Sequence, residues 1–77
     1  MRKGVYIVTD VVLLNNKVEE SGLKAKAIYD RLGISKASWY LKRAGKRPFT
    51  AQEIQQLCDI LRITSLREKE RIFFSDV

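Results

Sequence analysis

Most of the positive charge of this 77-residue chain lies in one segment. Residues 24–47 contain eight lysines and arginines and one acidic residue, so the segment carries +7 while the whole chain carries +6. Clustered ammonium and guanidinium groups attract and hydrogen-bond phosphates. The pattern favours a surface for nucleic acid or for an acidic partner over evenly solvated charge.

Metal and acid–base chemistry lack their usual residues. The chain has no histidine, and Cys58 is its only cysteine. A disulfide framework, a zinc cluster and a histidine general base therefore cannot be built. The sequence also lacks a recognisable phosphate loop, nucleophile–base pair or paired carboxylates. We expect no metal, no cofactor, no small-molecule substrate and no enzymatic activity.

The length and composition predict one small folded domain. A chain of 77 residues is too short for two cores, and its 45% hydrophobic content is too high for a disordered tail. No apolar stretch approaches the roughly 20 residues that cross a bilayer, so we expect a cytoplasmic protein with no membrane partner. A core this small contributes little net stability, which makes a homodimer a reasonable expectation.

Apolar periodicity and capping residues predict an all-α domain of five short helices over residues 10–77, after an extended segment at 1–9. The predicted helices run from Thr9 or Asp10 to about Glu20, from Lys24 to Arg31, from Lys36 to about Arg43 behind the cap Ser35, and onward from the capping boxes Thr50–Glu53 and Ser65–Glu68. Gly22, Gly33 and Gly45 stand where helix ends place a left-handed residue.

Each predicted helix has an apolar stripe that should face a common core. We expect Trp39 to pack inside rather than stack on nucleic acid, and Cys58 to be a buried small hydrophobe rather than a reactive thiol. The other residues predicted to pack in the core are Val11, Leu14, Val18, Leu23, Ala27, Ile28, Leu32, Ile54, Leu57, Leu61, Leu66, Ile72, Phe73 and Phe74.

The second and third predicted helices meet the physical requirement for a helix-turn-helix, over about residues 24–43. Gly33 makes the turn and Ile34 anchors it to the core. In such a motif the first helix crosses the DNA backbone, while the N-terminal residues of the second enter the major groove. The third predicted helix would then be the recognition helix.

Three stretches carry a specific resemblance: Gly22-Leu23, then Ile28 with Leu32–Lys36, then Gly45–Thr50. Over about residues 11–74 the chain resembles the small Cro/CI-type, XRE-like helix-turn-helix regulators of temperate phages. The resemblance implies a lambda-repressor-like DNA-binding domain. It also implies a Cro-like transcriptional repressor that acts as a dimer on near-palindromic operator DNA.

The DNA interpretation divides the exposed residues by role. Lys36 is able to reach a guanine, while Ala37 and Leu41 suit thymine methyl groups. The base-edge candidates are Ser35, Lys36, Ala37, Tyr40 and Leu41. The phosphate-contact candidates are Lys24, Lys26, Lys42, Arg43, Lys46 and Arg47.

A protein-binding function is the alternative. Tyr40 and Leu41 would be exposed together and ringed by charge, which is the composition of an interface core with a polar rim. The chain would then be an antirepressor or modulator that binds a partner repressor through the same helix.

The N-terminal segment has apolar residues that five helices do not obviously need. A segment with strand propensity must pair with something: a dimer sheet, a partner protein, or the fifth helix of its own chain. The protein-interface candidates are Val5, Tyr6, Ile7, Val8, Val12 and Leu13.

Overall fold

A computed structural model describes residues 7–76 of the chain. These residues form five helices, as predicted, together with one two-residue strand pairing. The helices are α1 (Val11–Ser21), α2 (Ala25–Leu32), α3 (Lys36–Arg43), α4 (Ala51–Leu61) and α5 (Leu66–Phe73), and the strands are β1 (Ile7–Val8) and β2 (Ser75–Asp76). No helix within residues 7–76 has the length and apolarity needed to cross a lipid bilayer.

Side-chain caps explain where four helices begin. Asp10, Ser35, Thr50 and Ser65 each accept a hydrogen bond from the backbone N–H three residues later. Thr50 has the full capping box, since the Glu53 carboxylate also accepts the Thr50 N–H at 2.9 Å. At α5 only the Ser65 half matches the predicted box. The Glu68 carboxylate lies 2.7 Å from Lys17 Nζ and so ties α5 to α1.

The turn between α2 and α3 is closed by backbone hydrogen bonds that require a left-handed residue. Gly33 has φ +74° and donates to the Asp30 carbonyl at 3.1 Å, while Ile34 donates to the Tyr29 carbonyl at 3.1 Å. This is the Schellman arrangement, in which glycine avoids the steric penalty of a Cβ atom. Gly33 thus lies in the turn between α2 and α3, and the next residue, Ile34, packs against the core.

One core lies between the helices and is centred on aromatic side chains. Trp39 is fully buried, and Phe49 meets it edge-on at 6.2 Å between ring centroids. Phe49 also meets Phe73 at 5.8 Å. Edge-to-face contacts of this kind add to the stability gained from buried area. The predicted burial of Trp39 and Cys58 is confirmed.

Five predicted core residues are not buried. Ala27, Leu66 and Phe74 are exposed, while Val11 and Leu23 are half-buried. Ala27 lies about 100° around the α2 axis from buried Ile28, and so faces away from the core. Phe74 follows the end of α5 with φ −132°, and its side chain therefore no longer follows the helical stripe. Leu66 is in the first turn of α5, two turns before Phe73, beyond the edge of the core.

The extended N-terminal segment folds back on its own chain. Ile7 and Val8 pair antiparallel with Asp76 and Ser75, and the Asp10 N–H donates to the Ile72 carbonyl at 2.6 Å. β1 therefore pairs within its own chain. The first of the three expected pairings, a sheet between two copies, is not what this strand forms. Val5 and Tyr6 lie outside the described residues.

Candidate nucleic-acid interface

α3 presents one face to the core and another to solvent. Trp39 and Lys42 are buried, and Ser38 and Arg43 are half-buried. At 3.6 residues per turn, the exposed positions cover an arc of about 140°. They are Lys36, Ala37, Tyr40, Leu41 and Ala44, and the exposed cap Ser35 precedes them. All five predicted base-edge residues therefore lie at the N-terminus or on the exposed face of this helix.

Tyr40 and Leu41 are the large apolar side chains of this arc. Tyr40 is 46% exposed and Leu41 is 36% exposed. Trp39, in contrast, has no exposed surface, so its ring is a core element and not a platform for stacking on bases. Ala44 was not predicted to belong to this face, because it follows the last helical residue of α3. Ala44 lies seven residues after Ala37, and this spacing of about two turns places both residues on the same side of the helix. That spacing is the sequence feature that could have indicated Ala44.

Lys42 is not on the predicted phosphate-binding surface. Its side chain is 10% exposed, and its Nζ lies 2.5 Å from Oε1 of Glu53, which is 12% exposed. The same oxygen accepts the Thr50 N–H, so the pair joins α3 to the first turn of α4. Lys42 is therefore part of the contact between these helices, and no pattern in the sequence indicates Glu53 as its partner.

The ion pair shifts the titration of Glu53. Burial of the carboxyl group acts to raise its pKa, because charge is costly to desolvate. Hydrogen bonds from Lys42 and the Thr50 backbone, with the charge of Lys42, outweigh that effect and hold the pKa of Glu53 below its ordinary value. The carboxylate is thus the favoured form of this group in the folded protein.

Arg43 is also partly withdrawn from solvent. Its Nε donates to Oδ1 of Asn15 on α1 at 2.5 Å, and its guanidinium carbon lies 6.0 Å from the centroid of the Trp39 ring. Such a position satisfies one donor and covers the aromatic face. Arg43 therefore fixes α3 to α1, although it was predicted to contact phosphates.

The remaining four phosphate-contact candidates are exposed. Lys24 stands at the N-cap of α2, which has no side-chain cap. Lys26 pairs with Asp30 one turn later at 2.7 Å, an exposed contact that contributes little to stability. Lys46 follows α3, and the Arg47 guanidinium donates to Oγ of Ser38 at 3.3 Å. Arg47 is thereby held beside the N-terminal half of α3.

The described residues give no sign of a metal centre: residues 7–76 contain no group of three or more histidine, cysteine, aspartate or glutamate side chains placed to hold an ion. Comparison with protein-family models, with curated proteins and with solved structures finds no match for this chain. The contacts and charges of α2 and α3 are therefore the basis for assigning a function.

Proposed function

We propose that the chain is a phage-type, Cro-like transcriptional regulator that binds double-stranded operator DNA through α2, the Gly33 turn and α3. The observation that carries the proposal is the exposed arc of α3, which begins at a capped helix N-terminus and has basic side chains beside it. An α-helix fits the major groove, where such side chains meet base edges. Lambda-repressor-like architecture and action in the cytoplasm are part of the same proposal.

Phosphate contacts are assigned to four exposed basic residues. Lys24 and Lys26 flank the start of α2, whose first backbone N–H groups also favour an anion. Lys46 follows the C-terminal end of α3, while Arg47 is held beside its N-terminal half, so both are suited to contact the DNA backbone along the groove that α3 would enter. Lys42 and Arg43 position α3 and make no phosphate contact in this proposal.

A homodimer completes the proposal. A near-palindromic operator requires two copies related by a two-fold axis. Val12 is 68% exposed on α1, so this interface candidate is accessible to a second copy. Leu13 is half-buried and packs against the core of its own chain, so it is not used for this purpose.

Fluorescence anisotropy of a labelled mixed-sequence duplex tests the proposal without knowledge of the operator. Binding is expected to weaken steeply between about 50 and about 200 mM salt, because neutralised phosphates release counterions. Lys46→Ala should weaken binding and reduce the salt slope by about one. Arg67→Ala is the matched control, since it removes one positive charge from an exposed position on α5.

Equal binding by the Lys46 and Arg67 variants would exclude the α3 region as the DNA surface. No binding at the lower salt would favour the second candidate function, an antirepressor that binds a partner repressor. The specific observation in its favour is the adjacent exposure of Tyr40 and Leu41, which suits an apolar contact within a charged rim.

A further inference from the structure

The exposed face of α3 is poor in hydrogen-bonding groups for a surface that would read DNA. Ala37, Leu41 and Ala44 end in methyl groups, and Lys36 and Tyr40 carry the hydrogen-bonding groups at the ends of long side chains on the arc. The Ser35 hydroxyl already accepts the Ser38 N–H at 3.1 Å. Arg43 is on the same helix but is held by Asn15. Apolar contact is therefore what most of this face offers a partner.

The base edges that such a face can recognise are limited. Adenine is read with two hydrogen bonds by asparagine or glutamine, and cytosine by aspartate or glutamate, and none of these four residue types occurs between Ser35 and Ala44. Ser35 is the exposed short residue that can make a single hydrogen bond to either base. The thymine 5-methyl group is the one apolar group that base pairs display in the major groove. In the major groove, Leu41 would bury its exposed apolar surface against this methyl group.

We infer, on the basis of the proposed function, that the chain reads its operator mainly through thymine 5-methyl groups contacted by Ala37 and Leu41, with Lys36 donating to a guanine. Ala37 and Leu41 are one turn apart on the exposed face, a rise of about 6 Å. Base pairs are stacked about 3.4 Å apart. The two side chains therefore reach methyl groups separated by one to two base-pair steps.

The contacts of α3 with the rest of the domain make this readout specific. Methyl contacts discriminate only when the side chains are held in place, because they have no directional hydrogen bond to align them. Lys42 fixes α3 to α4 through Glu53, and Arg43 fixes it to α1 through Asn15. The apolar face therefore presents a constant shape to the groove.

The test begins with selection of duplexes from a randomised library by the full chain. Each thymine of the selected site is then replaced by deoxyuridine, which lacks only the 5-methyl group, and affinity is measured by anisotropy. Loss of a buried methyl group is expected to weaken binding about fourfold at each contacted thymine. Deoxyuridine placed outside the selected site is the control for changes in duplex stiffness, and it should have no effect.

The variant Leu41→Ala tests whether the Leu41 side chain makes the contact with the thymine methyl group. At one position of the site, replacing thymine by deoxyuridine should hardly change the affinity of Leu41→Ala. This variant has already lost the side chain that contacts the methyl group. Lys46→Ala should weaken both duplexes by the same factor and keep the difference between them. Thermal melts of each variant show that the fold is retained, as expected for exposed side chains.

The outcomes separate this inference from the function on which it rests. Salt-sensitive DNA binding with equal affinity for thymine and deoxyuridine, or selection of sites without thymine, would overturn the methyl readout and leave DNA binding in place. Binding to no duplex would overturn both and would assign Tyr40 and Leu41 to a protein partner. If deoxyuridine weakens binding of the wild type about fourfold but does not weaken binding of Leu41→Ala, the result supports both the methyl readout and the proposed DNA binding.

Discussion

Nζ of Lys42 lies 2.5 Å from Oε1 of Glu53, in a contact that is almost closed to solvent. Glu53 also completes the capping box of α4 through the Thr50 N–H, so one carboxylate sets both the start of α4 and the position of α3. A charged residue of the basic segment is thereby used inside the domain. The surface charge available to a polyanion is smaller than the sequence indicates.

Removal of one partner of this pair should destabilise the domain strongly. Glu53→Ala leaves the Lys42 ammonium buried without its counter-charge, and such changes cost about 3 kcal/mol or more of unfolding free energy. The double variant Lys42→Met, Glu53→Gln removes both charges and keeps similar volumes, so it should be more stable than Glu53→Ala. Urea unfolding measures both. A double variant less stable than Glu53→Ala would show that the charges themselves stabilise the fold.

The lowered pKa of Glu53 predicts a loss of stability in acid. A carboxyl group whose pKa is lower in the folded than in the unfolded chain stabilises the fold above its unfolded pKa of about 4.3. This contribution disappears as the pH falls through the folded pKa. The unfolding free energy of the wild type should therefore exceed that of Glu53→Gln at neutral pH, and the difference should shrink below about pH 4. A constant difference across that range would contradict the assignment.

Much of the helical architecture could be predicted from local residue patterns. Helix starts depend on a side chain and an N–H three residues away, as at Ser35 and Thr50, and helix ends depend on left-handed glycines such as Gly33. These are short-range interactions that the sequence states directly. The start of α2 at Ala25 in place of Lys24 is the boundary error expected where no side-chain cap is present.

The site was less predictable because it depends on contacts between distant segments. Lys42 meets Glu53 and Arg43 meets Asn15 on other helices of the domain, and no pattern within one helix connects these partners. Both residues look solvent-exposed in a basic run, and only the tertiary packing shows that their charged groups are engaged. The exposed set at Lys36, Ala37, Tyr40 and Leu41 was predictable, because it follows from helical period and the burial of Trp39.

The proposed dimer predicts an effect of charge at Val12. This side chain is 68% exposed, so Val12→Glu should leave the monomer fold intact while placing a charge in the apolar contact between copies. Sedimentation should then report a monomer where the wild type is a dimer. Leu66→Glu is the matched control, because Leu66 is 67% exposed on α5 and is not assigned to the interface. Equal masses for wild type and Val12→Glu would exclude Val12 from any interface.

The left-handed backbone conformation of Arg62 predicts that the substitution Arg62→Gly stabilises the domain. It ends α4 with φ +59°, and the Ile63 N–H donates to the Cys58 carbonyl at 2.8 Å in the same arrangement that Gly33 makes after α2. A left-handed residue with a Cβ atom is strained by about 1–2 kcal/mol, while glycine is not. Because glycine also loses more entropy on folding, Arg62→Gly should raise the unfolding free energy by about 0.5–1 kcal/mol.

Two variants separate this backbone effect from loss of the arginine side chain. Arg62→Ala removes the side chain and keeps the strain, so it should not be stabilising. Gly33→Ala introduces the strain at φ +74°, where an added Cβ would meet no atom within 4 Å, and should destabilise the domain by about 1 kcal/mol. Urea unfolding of all three variants decides the matter. If Arg62→Gly and Arg62→Ala were equally stable, the side chain rather than the left-handed backbone would determine stability at this helix end.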